Sequence, residues 1–233
     1  MLHRLRRGLM HPFHLPDWAV ARGQGLNRFD ALEPGATALV VIDMQSAFVG
    51  EGEVFGKASS RATIPAINAL CSALRTFGAP VIWTRQTVSD RAPLAMPSWQ
   101  YDLTDPEVAR AVEALRSGSS SHALHPAMDF RDGDALLDKY RYGAFSCPDG
   151  ALARALARRG IEMVVLVGTL TNVCVDSTAR EANMRGYKVL IAADACSAVT
   201  DAEQDAALLN LRLNFADVKS CAQVLEMTKG AAP

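Results

Sequence analysis

Residues 161–195, IEMVVLVGTLTNVCVDSTAREANMRGYKVLIAADA, decide the fold class of this chain. The stretch begins with an apolar run over 161–169 and ends with a second one over 187–195. The polar segment between them predicts a helix over about 174–185. Short apolar runs that alternate with helices are typical of a parallel sheet with both faces buried. The stretch therefore predicts two strands of an α/β protein and the helix that joins them.

The same alternation extends along most of the chain. The sequence predicts strands over 37–43, 80–85, 134–140, 161–169 and 187–195. Helices are predicted over about 61–77, 149–159, 174–185 and 202–215, with Gly160 and Gly186 placed where a helix commonly ends. This organisation predicts one α/β domain over residues 33–233.

Two segments fall outside the alternation. Residues 1–32 carry several prolines and glycines without an apolar period, which predicts an irregular N-terminal arm. We expect such an arm to pack on a neighbouring subunit. The loop over 86–130 contains one short helical stretch, near 105–116, and loops of this length are frequently functional. It is predicted to form a lid over a site.

The composition limits the classes of partner. The 233 residues are 49% hydrophobic and 21% charged, and the formal net charge is −1. A nearly neutral chain has no overall field that attracts nucleic acid or an anionic membrane. We therefore expect neither partner and predict a small neutral or weakly charged ligand.

The five cysteines and the N-terminus indicate the compartment. The cysteines are an odd number and contain no CxxC pair, which disfavours both a disulfide framework and a zinc site. The basic start lacks the apolar run of a secretory signal, and no stretch has the length of a membrane span. A cytoplasmic protein is predicted, with an organelle transit peptide as the alternative.

Three reactive side chains stand at predicted strand ends. Asp43 closes the first strand, Lys139 closes the third, and Cys174 follows the fourth after the turn GTLTN. Ligands of open α/β sheets bind outside the carboxyl ends of the strands. Because Cys174 is predicted to open a helix, the free amides there and a nearby Lys139 ammonium would favour a thiolate. The amides of Leu170 and Cys174 could form an oxyanion hole.

The same residue types also occur in purely structural roles. Free cysteine is among the most buried residue types, and Cys71, Cys196 and Cys221 are assigned to the core. Cys147 follows the loop YRYGAFSC and is a weaker candidate for substrate contact. The position of three reactive groups at three strand ends is what favours a catalytic role.

Three motifs carry a family resemblance. They are VVIDMQSAFV (40–49), DKYRYGAF (138–145) and LVGTLTNVCVDSTAREANMRGYKVLIAADACSA (166–198). With them, the chain resembles the isochorismatase-like superfamily of cysteine hydrolases over roughly residues 35–218. The resemblance implies a three-layer α-β-α sandwich with a mostly parallel, Rossmann-like sheet of about six strands. It also implies an Asp43–Lys139–Cys174 triad and a cis peptide bond between Thr169 and Leu170.

The resemblance also implies a substrate class. Nicotinamidases of this superfamily carry a metal set with an Asp-x-His pair after the second strand, whereas WTRQTVSDRAPLAMPSWQ has no histidine. We therefore expect no metal and no cofactor, and a linear ureido or carbamoyl amide hydrolysed through a thioester. The substrate contacts predicted first are Gln45, Phe48, Asn172, Tyr142 and Asn214. Further candidates are Arg85, Gln86, Trp99 and Tyr101.

Several alternatives remain at this stage. A nicotinamidase-like enzyme could use His122, His125 and Asp129 as metal ligands, although their context differs from the family pattern. Isochorismatases that hydrolyse a vinyl ether lack the cysteine. A nucleotide-binding domain is disfavoured because GEGEVFG does not match GxGxxG, and a non-catalytic binding module is disfavoured by the complete triad. Relatives of this type suggest a homo-oligomer, either a dimer or a tetramer.

Overall fold

A six-stranded parallel sheet forms the centre of the molecule. The structure is a computed structural model that describes residues 15–22 and 25–229. The strands are β1 (Thr37–Ile42), β2 (Val81–Gln86), β3 (Ala135–Lys139), β4 (Met163–Thr169), β5 (Lys188–Ser197) and β6 (Asp217–Lys219). Their order across the sheet is β3-β2-β1-β4-β5-β6, and every neighbouring pair is parallel. The predicted sheet is confirmed.

Helices cover both faces of this sheet. They are α1 (Asp17–Arg22), α2 (Ser46–Val49), α3 (Ala58–Ala62), α4 (Ile64–Thr76), α5 (Pro106–Glu113), α6 (Ala151–Ala157), α7 (Asp176–Met184), α8 (Asp201–Asn214) and α9 (Cys221–Met227). One face of β1, with Val40 and Ile42, packs in a core with α6, α7 and α8. The other face, with Leu39 and Val41, packs with α4 and α9. Because side chains alternate between the faces of a strand, a run of apolar residues fills both layers.

The strand order reverses direction at β1 and β4, which lie side by side. The chain runs outward from β1 through β2 to β3, and then from β4 through β5 to β6. At the carboxyl end of this pair, Ile42 lies opposite Gly168. Gly168 has a φ of +115°, and a Cβ there would lie 2.1 Å from the Ile42 carbonyl oxygen. The chains that leave β1 and β4 therefore start from closely packed backbones at the switch point, where ligands bind in such sheets.

The structure corrects several boundaries. The single helix predicted over 61–77 is two helices, α3 and α4, separated at Thr63. A π-helical turn, Thr171–Val175, precedes α7, so Cys174 does not open an α-helix as predicted. The π turn nevertheless follows β4 after one residue, Leu170. The chain thus turns sharply before the helix begins.

The N-terminal segment is only partly described. Residues 1–14 and 23–24 of the predicted arm lie outside the described residues. Residues 17–22 form α1, which packs beside α8, with Ala19 fully buried. Asn27 Nδ2 donates to the Asn214 carbonyl oxygen at 2.9 Å, which also ties the segment to the end of α8. The segment after residue 14 is therefore more regular than predicted, and its packing on a neighbouring subunit stays a prediction.

The loop over 86–130 carries a 3₁₀ turn, Ser98–Gln100, and the predicted short helix as α5. Isolated bridges join Gln45 to Leu124 and Val88 to Arg116. The loop is thereby fixed to residues just beyond β1 and β2. Across the described ranges, no helix is long and apolar enough to span a membrane.

Candidate active site

Asp43, Lys139 and Cys174 meet at the carboxyl edge of the sheet and are called here the Asp–Lys–Cys cluster. Lys139 Nζ lies 2.7 Å from Asp43 Oδ2 and 3.4 Å from Cys174 Sγ. The three residues are buried, with 0%, 2% and 6% of their surfaces exposed. Because β2 separates β3 from β1, Lys139 reaches Asp43 across the end of β2. The structure brings together the three groups that the strand ends predicted.

Asp43 is held in place by β2. Thr84 Oγ1 donates to Asp43 Oδ1 at 2.9 Å, and the Asp43 amide donates to the Thr84 carbonyl at 3.2 Å. The backbone of Asp43 has a φ of +52°. Aspartate is one of the few residues that tolerate this left-handed conformation. These contacts leave Oδ2 facing Lys139.

Lys139 is surrounded by acceptors. Besides Asp43 and Cys174, its ammonium donates to Gln86 Oε1 at 2.5 Å and to the Arg141 carbonyl at 3.1 Å. Burial alone would lower the pKa of Lys139, but the negative charge of Asp43, with a further contribution from Cys174, raises the pKa above its usual value. Lys139 therefore stays protonated and forms a fixed positive centre between the carboxylate and the sulfur.

The predicted resting thiolate of Cys174 is not what this environment favours. Burial raises the pKa of the Cys174 thiol to about 12, because Lys139 lowers it by less than burial and Asp43 together raise it. The sequence shows that Lys139 is a candidate neighbour, whereas the burial of the thiol is visible only in the structure. Cys174 thus rests as a thiol, and its activation requires transfer of its proton to a neighbouring base.

Cys174 opens onto a cavity of about 220 Å³. Four aromatic residues, Phe48, Phe55, Tyr101 and Tyr142, form one part of its lining and are called the aromatic wall. The ring centroids of Phe48 and Phe55 are 6.1 Å apart, and those of Phe55 and Tyr101 are 6.3 Å apart. The remaining lining residues are Lys57, Gln86, Thr169, Leu170, Val173, Cys174 and Val199. The cavity is smaller than a drug-sized pocket and suits a small substrate.

The turn after β4 supplies the other side of the cavity. The peptide bond between Thr169 and Leu170 is cis, as the resemblance implied. Both Leu170 and Cys174 line the cavity, so the two residues predicted for the oxyanion hole border the same space as the sulfur. The Leu170 carbonyl accepts from the amides of Val173 and Val175, both at 3.1 Å, which closes the π turn.

Among the predicted substrate contacts, Phe48 and Tyr142 line the cavity, whereas Gln45 and Asn214 do not. Asn214 is exposed at the end of α8 beside Asn27. Asn172 is half-buried and lies in the π turn but does not line the cavity, and its Oδ1 is buried without a hydrogen bond to any described residue. The cavity lining gives no support to the predictions for Gln45 and Asn214 as substrate contacts, which stay predictions. Sequence position after a strand or on the last helix could not show which way these side chains point.

Gln45 has a different role, because both polar atoms of its side chain form hydrogen bonds with backbone groups. Its Nε2 donates to the Gln86 carbonyl at 3.2 Å and to the His122 carbonyl at 2.9 Å. Its Oε1 accepts from the Gln86 amide at 2.7 Å. Gln45 thus fixes the backbone of Gln86. The side chain of Gln86 in turn accepts a hydrogen bond from Lys139.

Of the four further candidates for substrate contact, two line the cavity and two do not. Gln86 and Tyr101 line the cavity. Arg85 instead pairs with Asp138 at 2.7 Å, and Trp99 is 84% exposed. Because Tyr101 lies in the loop over 86–130, that loop borders the cavity, and its role as a lid stays a prediction. The sequence reasoning missed Phe55, Lys57 and Val199, although Phe55 and Lys57 follow closely on the motif VVIDMQSAFV.

The candidate metal ligands have other partners. His122 Nε2 lies 2.8 Å from Thr87 Oγ1, and Asp129 forms ion pairs with Arg75 and Arg131. Within residues 15–22 and 25–229, no group of three or more His, Cys, Asp or Glu residues is arranged to hold a metal ion.

Comparisons with known proteins agree with this fold. The sequence profile of the isochorismatase domain matches residues 37–223. A ureidoacrylate amidohydrolase, RutB, from Pseudomonas savastanoi pv. phaseolicola is 32% identical over 204 residues, which cover 81% of this chain and 82% of the relative. The crystal structure of a cysteine hydrolase from Pseudomonas syringae pv. phaseolicola 1448A superposes with a TM-score of 0.78 at 25% identity, over 88% of this chain and 97% of that one.

A more distant structure shares the fold. N-carbamoylsarcosine amidase from Thermoplasma acidophilum has a TM-score of 0.63 at 23% identity, over 79% of this chain and 96% of that one. At this identity the likeness concerns the arrangement of strands and helices alone.

Proposed function

Because this chain belongs to the isochorismatase family, whose domain spans residues 37–223, we propose that it is a cysteine amidohydrolase acting on a small ureido or carbamoyl compound. One observation carries the proposal. Lys139 Nζ lies within 2.7 Å of Asp43 Oδ2 and 3.4 Å of Cys174 Sγ beside a small cavity. The arrangement combines a nucleophile, a carboxylate that can accept its proton, and a fixed cation between them.

The first half of the proposed reaction forms a thioester. Asp43 takes the Cys174 proton as the sulfur attacks the substrate carbonyl carbon, so the buried thiol ionises only as it reacts. Negative charge collects on the carbonyl oxygen, to which the amides of Leu170 and Cys174, both lining residues of the cavity, are proposed to donate. The tetrahedral intermediate collapses, the C–N bond breaks, and the proton on Asp43 leaves with the ammonia. During these steps, the positive charge of Lys139 stabilises whichever of its two neighbours, Asp43 or Cys174, is anionic.

The second half regenerates the enzyme. Asp43 removes a proton from water, the water oxygen attacks the thioester carbon, and the C–S bond breaks. The thiolate that leaves recovers the proton from Asp43. Each step uses only the Asp–Lys–Cys cluster, the Leu170 and Cys174 amides and water, so the proposed reaction is metal-independent.

The substrate class rests on the cavity and on the relatives. A ureido group offers both hydrogen-bond donors and acceptors, and the cavity presents the Gln86 amide and the hydroxyls of Tyr101 and Tyr142. Relatives at about this distance are named ureidoacrylate amidohydrolases. A ureido substrate therefore fits both the lining and the family context. Homo-oligomerisation and a cytoplasmic location stay predictions.

Ammonia release from a panel of small amides tests the proposal. The panel contains N-carbamoyl amino acids, biuret, ureidoacrylate, nicotinamide and simple aliphatic amides, and compares the native protein with Cys174→Ala and Cys147→Ala. We expect turnover of a ureido compound that is lost in Cys174→Ala and retained in Cys147→Ala. Activity that survives in Cys174→Ala would exclude the thioester route. Turnover of nicotinamide alone would replace the ureido class by a nicotinamidase-like one.

A further inference from the structure

Lys57 is a lining residue of the cavity that the proposed reaction does not use. It lies directly before α3 and is half-buried. Its amide donates to the Phe48 carbonyl at 3.0 Å, which places it beside the aromatic wall. Among the described residues, it is the only cationic side chain of the lining, because Lys139 does not border the cavity and the lining contains no arginine or histidine.

Helix α3 fixes the position of Lys57 relative to the catalytic end. Ser60 Oγ and Thr169 Oγ1 are 2.9 Å apart, and Ser59 Oγ donates to the Ala198 carbonyl at 3.2 Å. Arg61 Nη1 donates to the Val49 carbonyl at 3.1 Å. Three consecutive side chains thus bind α3 to the ends of β4 and β5 and to α2. Lys57, directly before α3, is consequently held close to the end of β4, and it lines the same cavity as Leu170.

The charge of Lys57 is not matched by any described carboxylate. The chain has five lysines, and the other four form ion pairs with Asp43, Glu162, Asp217 and Glu226. Among the residues that the structure describes, no acceptor or carboxylate contacts the Lys57 ammonium. Glu53, four residues earlier, instead accepts a hydrogen bond from Ser121 Oγ at 2.6 Å. No aspartate or glutamate lines the cavity, so an anion inside it would meet this cation without competition.

The two lysines near the cavity differ in how their charges are paired. At the catalytic end, the Lys139 ammonium is already paired with Asp43, so this end suits a neutral carbonyl rather than a second anion. Lys57, by contrast, brings to a largely apolar lining a positive charge that no described carboxylate pairs with, and charge-assisted hydrogen bonds are strong where water is partly excluded. A substrate with a neutral ureido group at one end and an anion at the other would satisfy both ends.

We propose that Lys57 binds the carboxylate of the substrate and thereby selects small ureido acids over neutral ureido compounds. This inference rests on the proposed amidohydrolase function and assigns its substrate class. The ureido carbonyl lies at Cys174, the carboxylate lies at Lys57, and the aromatic wall covers the atoms between them. Lys57 acts on binding and takes no part in bond breaking.

Matched substrates separate charge from shape. Ammonia release is measured from ureidoacrylate and from its uncharged methyl ester, with the native protein, Lys57→Met, Lys57→Arg and the surface control Lys188→Met. Methionine keeps most of the apolar stem of lysine and removes the charge. We expect Lys57→Met to lower kcat/KM for the acid by about 10- to 100-fold, mainly through KM, as for a lost charged hydrogen bond. The ester should be affected less than about 2-fold.

Two further variants show whether the loss in Lys57→Met is due to the missing charge. Lys57→Arg should recover most of the loss, because it restores the charge, and Lys188→Met should behave as the native protein. Equal losses for acid and ester in Lys57→Met would show a structural role and overturn the proposal. An unchanged preference for the acid would overturn it as well.

A binding measurement distinguishes this inference from the proposed function. In a Cys174→Ala background, calorimetry compares the affinity of the acid and the ester with and without Lys57→Met. Failure of the native protein to release ammonia from any ureido compound would refute the function. The calorimetry would still decide the role of Lys57: weaker binding of the acid alone supports it, whereas equal affinities or no binding of the acid overturn it.

Discussion

The Asp–Lys–Cys cluster and the aromatic wall share one cavity but are built differently. The cluster comes from strand ends and the turn after β4, is almost fully buried, and is joined by contacts of 2.7 and 3.4 Å. The wall comes from the segment after β1, the loop over 86–130 and the loop after β3, and its four rings are all partly exposed. The sheet therefore fixes the reacting groups, and the loops fix what can reach them. Changes in the cluster should affect both stability and chemistry, while changes in the wall should affect substrate binding.

The largest expected effect follows from breaking the buried ion pair. Lys139→Met leaves Asp43 buried without its cation, which costs roughly 3–5 kcal/mol of unfolding free energy. It should also reduce kcat/KM by about 10³-fold, since the proton transfer loses its electrostatic support. Urea unfolding and ammonia release measure the two effects.

A double variant sharpens this prediction. Asp43→Asn/Lys139→Met removes both charges and should regain much of the stability while remaining inactive. Lys188→Met, which removes an exposed partner of Glu162, should change stability by less than about 0.5 kcal/mol. A loss below about 1 kcal/mol in Lys139→Met would show that the pair is not coupled to folding.

The next effect concerns the protonation of Cys174. Since burial raises the pKa of its thiol to about 12, the thiolate fraction in the resting protein increases about tenfold per pH unit up to that value. The rate of alkylation of Cys174 by iodoacetamide, followed by mass spectrometry, should increase in the same way from pH 7 to pH 10. A rate that levels off near pH 7 would instead demonstrate a resting thiolate stabilised by Lys139.

A smaller effect is expected for Gln45, which holds Gln86 beside Lys139. Gln45→Ala removes three hydrogen bonds from backbone groups of Gln86 and His122 and should destabilise the protein by about 2–4 kcal/mol, since a typical hydrogen bond contributes about 0.5–1.5 kcal/mol net. It should also lower kcat by about tenfold, because Gln86 helps to hold Lys139.

Gln204→Ala is the matched control. Gln204 is equally buried and makes three hydrogen bonds to backbone groups at residues 193, 196 and 198. It should lose similar stability and keep kcat. If both variants lose kcat to the same extent, Gln45 has only a structural role.

The smallest effect is expected in the wall. Tyr101→Phe removes one hydroxyl from the cavity while keeping the ring beside Phe55, so KM should increase by roughly 2- to 5-fold, about 0.5–1 kcal/mol, with kcat unchanged. Trp99→Ala, two residues earlier and exposed to solvent, should leave both constants unchanged. Equal effects from the two variants would indicate a general disturbance of the loop rather than contact with substrate.

The sequence predictions were also more accurate for the strands of the sheet than for the short elements and loops around it. The strand boundaries of β1 to β5 were predicted to within about two residues, because buried parallel strands read as continuous apolar runs. Strand β6 has only three residues and gave no such signal. Helix α9 was missed, although Ser220 and Gln223 form the capping box that could have revealed it. Short elements are held mainly by tertiary contacts and leave little trace in the sequence.

Side-chain direction was what the sequence could least predict in the site. Gln45 was predicted to contact substrate because it follows Asp43, yet its amide points to the backbone of Gln86 and His122. Lys57 was overlooked because a lysine after a glycine-rich loop usually lies in solvent. Only the placement of α3 against the ends of β4 and β5 shows that it lines the cavity.

The sequence by itself determined the parallel α/β architecture and the three strand-end residues Asp43, Lys139 and Cys174. It could do so because apolar periodicity and strand-end position are local properties, and the carboxyl ends of parallel strands share one edge. The tertiary structure alone decided that Cys174 rests as a thiol, that Gln45 supports Gln86, and that Lys57 faces a cavity without a carboxylate. Burial, side-chain direction and the absence of a counter-charge depend on residues that are distant along the chain, so no stretch of sequence records them.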